Sequence, residues 1–69
     1  NPVSKILTLE LPVFQGENEV VVYDVTGKKM VEFWTLEGRL EVDMSGFGKG
    51  VYLVRVRNDE EVGVFRVVR

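Results

Sequence analysis

The sequence contains no cysteine and no histidine. Without cysteine, the chain can form no disulfide, no thiolate metal site and no thiol nucleophile. The absence of histidine removes the usual general base near neutral pH and the commonest metal ligand. A serine or threonine nucleophile would therefore have no imidazole to activate it. We expect no catalytic residue, no metal site and no cofactor, and hence a protein that is not an enzyme.

Alanine is absent too, and long apolar runs are missing. Alanine is the best helix former, so its absence argues against a helical fold. The longest apolar runs, Val20–Tyr23 and Val51–Val54, are far shorter than the roughly 20 residues of a membrane-spanning helix. Net charge is −2, with acids and bases mixed along the chain and no basic stripe. Membrane insertion and nucleic-acid binding are therefore not expected.

Valine-rich runs dominate what is present. Six of them are separated by glycine and polar turn residues at intervals of roughly ten residues, a spacing typical of sandwiches. The second run is apolar on both faces, which predicts a central, covered strand. The six predicted strands are Lys5–Leu11, Glu19–Val25, Lys29–Trp34, Leu40–Met44, Val51–Arg57 and Glu61–Arg69. The pattern predicts an all-β protein, a small immunoglobulin-like antiparallel β-sandwich, with residues 1–69 as a single domain.

Several acidic positions could carry chemistry in another context. Asp24, Asp43 and Asp59 have oxygen ligands for calcium, but none lies in a loop with alternating acidic ligands. We expect Asp24 and Asp43 to accept backbone hydrogen bonds at strand ends instead. The outward strand positions are Glu10, Glu32 and Glu41, and these predict solvated faces rather than a paired-carboxylate site.

The loop 46–50, Gly-Phe-Gly-Lys-Gly, superficially resembles a phosphate cradle. A phosphate loop requires a following helix whose amides point at the anion, whereas a valine-rich strand follows here. Glycines that supply unusual backbone angles are the simpler interpretation.

Two further groups of side chains leave alternatives open. Trp34, Phe14 and Phe47 could form a sugar-stacking platform, although a single aromatic more often serves packing. Alternation places Trp34 on the same face as Glu32, which leaves room for an exposed role. A second group, on the last two strands, could form a basic patch for an acidic partner or simply keep the surface soluble. This second group is Arg55, Arg57, Arg66 and Arg69.

Three segments in order carry a resemblance to a known family. They are Asn1–Thr8, Val22–Met30 and Met44–Val56, and the ending Arg66–Arg69 adds a short apolar and basic strand. Together they resemble the C-terminal sorting domain of type IX (Por) secretion cargo. The resemblance covers essentially the whole chain. The aromatic-proline pair that usually precedes Asn1 in the family is missing, and the abrupt start suggests a piece of a larger secreted protein.

The resemblance implies a sorting signal that directs its cargo across the outer membrane of Gram-negative bacteria. It implies transit through the periplasm, then delivery to the outer membrane, the cell surface or the medium. The partners implied are the type IX translocon, an outer-membrane shuttle protein and a surface sortase that usually removes the domain, with the cut upstream of Asn1. Exposed sheet edges additionally make a homodimer one expectation. The alternative is a carbohydrate-binding or spacer sandwich of a secreted hydrolase.

The resemblance also implies which positions matter for export. These are Gly50, Val51, Tyr52, Val67, Val68 and Arg69, with the family turn at Gly27 and Lys28. A physical reason supports the last strand, because a strand ending the chain is open to a receptor by strand addition.

Overall fold

A computed structural model describes residues 5–11 and 16–69. The Asn-Pro start and Phe14 lie outside the described residues. The six strands are β1 Ile6–Glu10, β2 Asn18–Asp24, β3 Lys29–Thr35, β4 Arg39–Asp43, β5 Val51–Arg57 and β6 Val62–Val68. Each predicted run overlaps one of them, and no strand end differs from its prediction by more than one residue. The all-β prediction is confirmed: 62% of the described residues lie in strands and none in a helix.

The strands form two antiparallel sheets. One sheet pairs β1 with β4, and the other has the order β3-β2-β5-β6. In the four-stranded sheet, β2 pairs with β3 and β5 on its two sides, so it is the central strand that its sequence predicted. The sheets pack as a small sandwich. Within residues 5–11 and 16–69 there is consequently no helix long and apolar enough to span a membrane.

The core lies between the sheets, where the period-two alternation of each strand places its apolar side chains. In the four-stranded sheet, Val20 and Val22 on β2 lie opposite Val56 and Val54 on β5. The two-stranded sheet contributes leucines from β1 and two side chains from β4 and just beyond it. The buried core cluster is Leu7, Leu9, Leu11, Val20, Val22, Val42, Met44, Tyr52, Val54 and Val67.

Val21 is fully buried although it faces away from the core cluster. It lies opposite Glu32 on β3 and Arg55 on β5, and the apolar stems of such long side chains cover neighbouring apolar surface. The prediction that β2 is covered on both sides is therefore confirmed. On the outer face of the four-stranded sheet this cover comes from charged side chains, and no further strand of residues 5–11 and 16–69 lies over it.

Candidate recognition site

The two segments singled out for export meet at one corner of the four-stranded sheet. Gly50 pairs with Arg69 through two backbone hydrogen bonds of 2.9 and 2.8 Å. The next two pairs along the ladder are Val51 with Val68 and Tyr52 with Val67. We call these six residues the β5–β6 corner. Residues that lie 15 or more positions apart in the chain thus form three consecutive cross-strand pairs.

Tyr52 connects the corner to the loop that precedes it. Its side chain is buried, and its hydroxyl donates a 2.6 Å hydrogen bond to the carbonyl oxygen of Gly48. Its ring also lies 5.5 Å from the ring of Phe47, centroid to centroid. The loop 46–50 is therefore held against the sandwich by the contacts of Tyr52, the second residue of β5, with Gly48 and Phe47. Since β5 follows this loop, the geometry is that of a strand entry and not of a phosphate loop.

Gly50 enters the corner with a φ of +153°. Residues with a Cβ rarely adopt this angle, whereas glycine does so at little cost. Space is not the constraint, since a Cβ built on Gly50 would meet no described atom within 4 Å. The backbone angle is thus what requires glycine before β5.

Arg69 does not lie with the other three arginines that were considered for a basic patch or for a soluble outer surface. Its Nε donates to the carbonyl oxygen of Met44 at 2.7 Å, and a terminal nitrogen lies 3.5 Å from the carbonyl oxygen of Ser45. Strand alternation explains the difference, because Arg69 has the parity of inward-facing Val67 and not of Arg66. The guanidinium therefore ties the end of β6 to the residues that follow β4.

The segment that receives Arg69 is itself ordered by Asp43. The Oδ1 of Asp43 accepts a hydrogen bond of 2.9 Å from the Ser45 amide. Hydrogen bonding from Ser45, with a smaller contribution from the positive charges of Lys5 and Arg69, lowers the pKa of Asp43. The expected role of Asp43 as a backbone acceptor at a strand end is confirmed.

The turn of Gly27 and Lys28 lies at the same end of the sheet, because Asp24 pairs with Tyr52. Oδ1 of Asp24 accepts from the Thr26 hydroxyl at 2.6 Å and from the amides of Thr26 and Lys28. The Thr26 hydroxyl is the largest cause that lowers the pKa of Asp24. Gly27 has a φ of +88°, so this turn also depends on glycine. All eight positions implied by the resemblance therefore lie at one end of the molecule.

These eight residues divide by accessibility. Tyr52 and Val67 are buried, at 6% and 0% of full exposure, and therefore stabilise the fold. Val68 is 41% exposed, and Gly50 and Lys28 are also exposed. A partner that approaches this end would contact the second group and depend on the first only through the fold.

Sequence reasoning missed a buried carboxylate on the outer face. Glu19 is 5% exposed, and a single oxygen, Oε1, accepts a hydrogen bond of 3.1 Å from Arg55 and forms an ion pair with Arg57 at 2.9 Å. The guanidinium of Arg55 also lies 5.7 Å from the centroid of the Tyr23 ring. From the sequence pattern alone, Glu19 is only a polar residue at the start of a strand. Its two arginine partners become evident only when the register of β2 with β5 is known. That register, which pairs Glu19 with Arg57 and Val21 with Arg55, is a long-range property.

The other candidate sites do not assemble. No group of three or more potential ligands gathers around Asp24, Asp43 or Asp59, or elsewhere in residues 5–11 and 16–69. The outward glutamates Glu10, Glu32 and Glu41 are all exposed, as expected. Trp34 is 56% exposed on the outer face, while Phe47 packs with Tyr52 beside the core. These two rings therefore share no platform.

Comparison with known families decides the assignment. A family model described as the secretion system C-terminal sorting domain matches residues 1–68. The chain belongs to this family. Its domains are the C-terminal sorting signals of type IX secretion, so the domain interacts with that machinery and directs its cargo to the outer membrane, the cell surface or the medium. The family is not a catalytic one. No curated protein matches the chain.

Proposed function

We propose that this sorting domain is recognised as a folded module through the accessible residues of the β5–β6 corner and the adjacent Gly27–Lys28 turn. The observation that carries the proposal is the pairing of Gly50, Val51 and Tyr52 with Arg69, Val68 and Val67. A receptor that requires both segments then binds one surface and not two separate peptides. Folding is part of the signal, because the segments come together only in the sandwich.

In this proposal the 69-residue chain acts as a single domain without catalytic activity during the secretion of its cargo. Its cargo passes through the periplasm and reaches the type IX translocon and an outer-membrane shuttle protein. A surface sortase then cleaves upstream of Asn1. The family membership supports this order, and the absence of cysteine and histidine is consistent with cleavage by another protein rather than by the domain itself.

An export assay with fold-preserving variants tests the corner. A periplasmic reporter carries the domain at its C-terminus, with additional upstream residues, in a type IX-competent strain and in a translocon-deficient strain. Val68→Glu places a charge on an exposed corner position. Leu36→Glu is the matched control, because Leu36 is 68% exposed and follows β3 at the opposite end of the sheet. Circular dichroism and urea unfolding of the purified domains establish that both variants fold.

We expect the wild type and Leu36→Glu to deliver the reporter to the surface or medium in the competent strain alone. Val68→Glu should leave it in the periplasm while remaining folded. Equal export of the two folded variants would remove the corner from the proposal. Retention of the wild-type fusion in the periplasm of the competent strain would contradict the sorting role of this chain.

The exposure of Trp34 favours a second candidate, a carbohydrate-binding or spacer sandwich. A half-exposed indole on a sheet face is a surface on which a sugar ring can stack. Trp34 is the single tryptophan, so its fluorescence reports directly on such binding. Saturable fluorescence changes with an oligosaccharide, absent in Trp34→Ala, would support this candidate. A flat response across a glycan panel would reject glycan binding.

A further inference from the structure

The outward edge of β6 carries a row of backbone groups that β5 does not use. Gly50 and Arg69 exchange both backbone hydrogen bonds, which fixes the phase of this antiparallel ladder. Hydrogen-bonded and non-hydrogen-bonded pairs alternate, so every second residue of β6 directs its N–H and C=O away from β5. These residues are Val62, Val64, Arg66 and Val68. Among the strands that the structure describes, none pairs with this edge.

The side chains of the same four residues lie on the outer face of the sheet and are exposed. Val62, Val64 and Val68 are 59%, 60% and 41% exposed, and Leu53 beside Arg66 is 39% exposed. Edges that are protected against pairing usually combine short strands with charges, proline or bulges. This edge is seven residues long, and three of its four outward side chains are valine.

Charge on this face is locally positive although the chain carries −2. Arg55 and Arg57 share the one carboxylate of Glu19. Arg66 makes no ion pair with any residue in the described ranges, and Lys29 is balanced by Glu32. An incoming strand with a carboxylate opposite Arg66 would complement this excess.

We propose that the outward edge of β6 docks an extended segment of a partner protein with alternating apolar and acidic side chains. Its carboxylate lies opposite Arg66, its apolar side chains lie opposite Val64 and Val68, and its backbone continues the ladder by strand addition. An anionic lipid surface could satisfy the arginine and the valines, but it would leave the row of amide groups without a matching partner. The inference goes beyond the proposed corner and is tested on purified protein, so the result is independent of any export assay.

The probe is a blocked heptapeptide, Val-Thr-Glu-Thr-Val-Thr-Val, which places Glu opposite Arg66 in the antiparallel orientation. The purified ¹⁵N-labelled 69-residue domain is titrated with this peptide and with a version in which Lys replaces Glu. We expect saturable shifts of the amides of Val62, Val64, Arg66 and Val68. Loss of one charge-complementary contact should make the Lys peptide bind about tenfold more weakly.

Two variants separate the contributions of charge and backbone. Arg66→Glu should reverse the preference, so that the Lys peptide binds more tightly than the Glu peptide. Val64→Pro removes an N–H that faces outward, a place where an edge strand tolerates proline, and should abolish binding of both peptides. Urea unfolding measures whether each variant folds. If Val64→Pro does not fold, the peptide preference of Arg66→Glu is by itself a sufficient test of the inference.

Absence of saturable β6 shifts with the wild type would overturn the inference, as would an unchanged peptide preference in Arg66→Glu. Vesicles of phosphatidylglycerol provide the remaining arm. Vesicle binding that Arg66→Glu abolishes, without any peptide binding, would assign this face to an anionic lipid and also overturn the inference.

Discussion

Gly46 and Gly50 belong to the same loop but meet different backbone demands. Gly50 has a φ of +153°, whereas Gly46 is not among the described glycines with positive φ. Neither position lacks room, since an added Cβ would meet no described atom within 4 Å at either one. Gly46 and Gly50 therefore differ in backbone angle but not in the space available for a Cβ, so substitutions at the two positions test the effect of the backbone angle alone.

Gly50→Ala should destabilise the domain by about 1–3 kcal/mol, because alanine is strained at this backbone angle. Gly46→Ala should change the free energy of unfolding by less than about 1 kcal/mol, and a small gain is expected from the lower entropy of the unfolded chain. Urea unfolding of both variants measures the difference. Equal midpoints would show that the loop relaxes without strain at position 50.

Glu19 is a buried carboxylate that contacts two arginines on the outer face of the sheet. Its buried carboxylate forms ion pairs with Arg55 and Arg57, whose side chains are 32% and 50% exposed. Glu19→Gln should lower the free energy of unfolding by about 1–2 kcal/mol, since the charge-assisted hydrogen bond from Arg55 and the ion pair with Arg57 lose their anionic partner. The two positive charges also repel each other in the variant, so the loss should be larger at low salt than at high salt.

Glu60→Gln is the control for this prediction, because Glu60 is exposed and takes part in no ion pair within the described residues. Its unfolding midpoint should stay at the wild-type value at every salt concentration. A Glu19→Gln variant with the same insensitivity would show that the arginines contribute nothing measurable through this carboxylate.

At the scale of elements, four strand ends use the same turn device. At the end of β3, Oγ1 of Thr35 accepts from the Glu37 amide at 3.0 Å, and an Asp or Asn side chain acts in the same way at the other three. Asp24, Asp43 and Asn58 each place a side-chain oxygen on the backbone amide two residues ahead, at 2.9, 2.9 and 2.8 Å. The device redirects the chain as soon as the strand ends, because it competes with continued ladder pairing. The apolar pattern predicted that β2 ends at Val25. The hydrogen bonds of Asp24 explain why the strand ends one residue earlier, at Asp24.

Where an aspartate forms this turn, as Asp24 and Asp43 do, the free energy of unfolding should depend on pH. The pKa of Asp24 is lowered in the fold, chiefly by the Thr26 hydroxyl, relative to its ordinary value of 3.8. A depressed folded pKa gives stability that is present above the ordinary value and is lost as pH falls through the folded one. Asp24→Asn keeps an acceptor but has no charge to lose. The stability difference between wild type and Asp24→Asn should therefore shrink between about pH 5 and about pH 2.

Urea midpoints for both proteins across this range provide the measurement. Asp43 titrates in the same direction and is present in both, so its contribution cancels in the comparison. A difference that stays constant down to the acid limit would mean that the charge of Asp24 does not stabilise the turn.

At the scale of the whole molecule, local pattern and long-range pairing contribute differently to what a sequence can predict. Alternation identified all six strands and the central position of β2, since burial of one face imposes a period of two. It could not identify that β1 pairs with β4, or that Gly50 faces Arg69, because those pairings join distant segments. The burial of Glu19 was missed for the same reason, whereas the inward direction of Arg69 follows from the alternation that it shares with Val67. The family resemblance named the corner residues, and the fold shows that they meet.

Removal of Val67–Arg69 should therefore disrupt the whole sandwich and not just a recognition surface. Val67 is fully buried in the core, and Arg69 supplies both the backbone pair with Gly50 and the side-chain contact with Met44. We expect the truncated domain to lose its cooperative urea transition. Val68→Thr, which alters an exposed position, should keep the transition.

The measurement is circular dichroism against urea for the truncated, substituted and wild-type domains. A cooperative transition in the truncated domain, with a midpoint near that of the wild type, would contradict the prediction. If the truncated domain unfolds as expected, its failure in an export assay reports loss of fold. Recognition by the β5–β6 corner must then be judged from folded substitutions such as Val68→Glu.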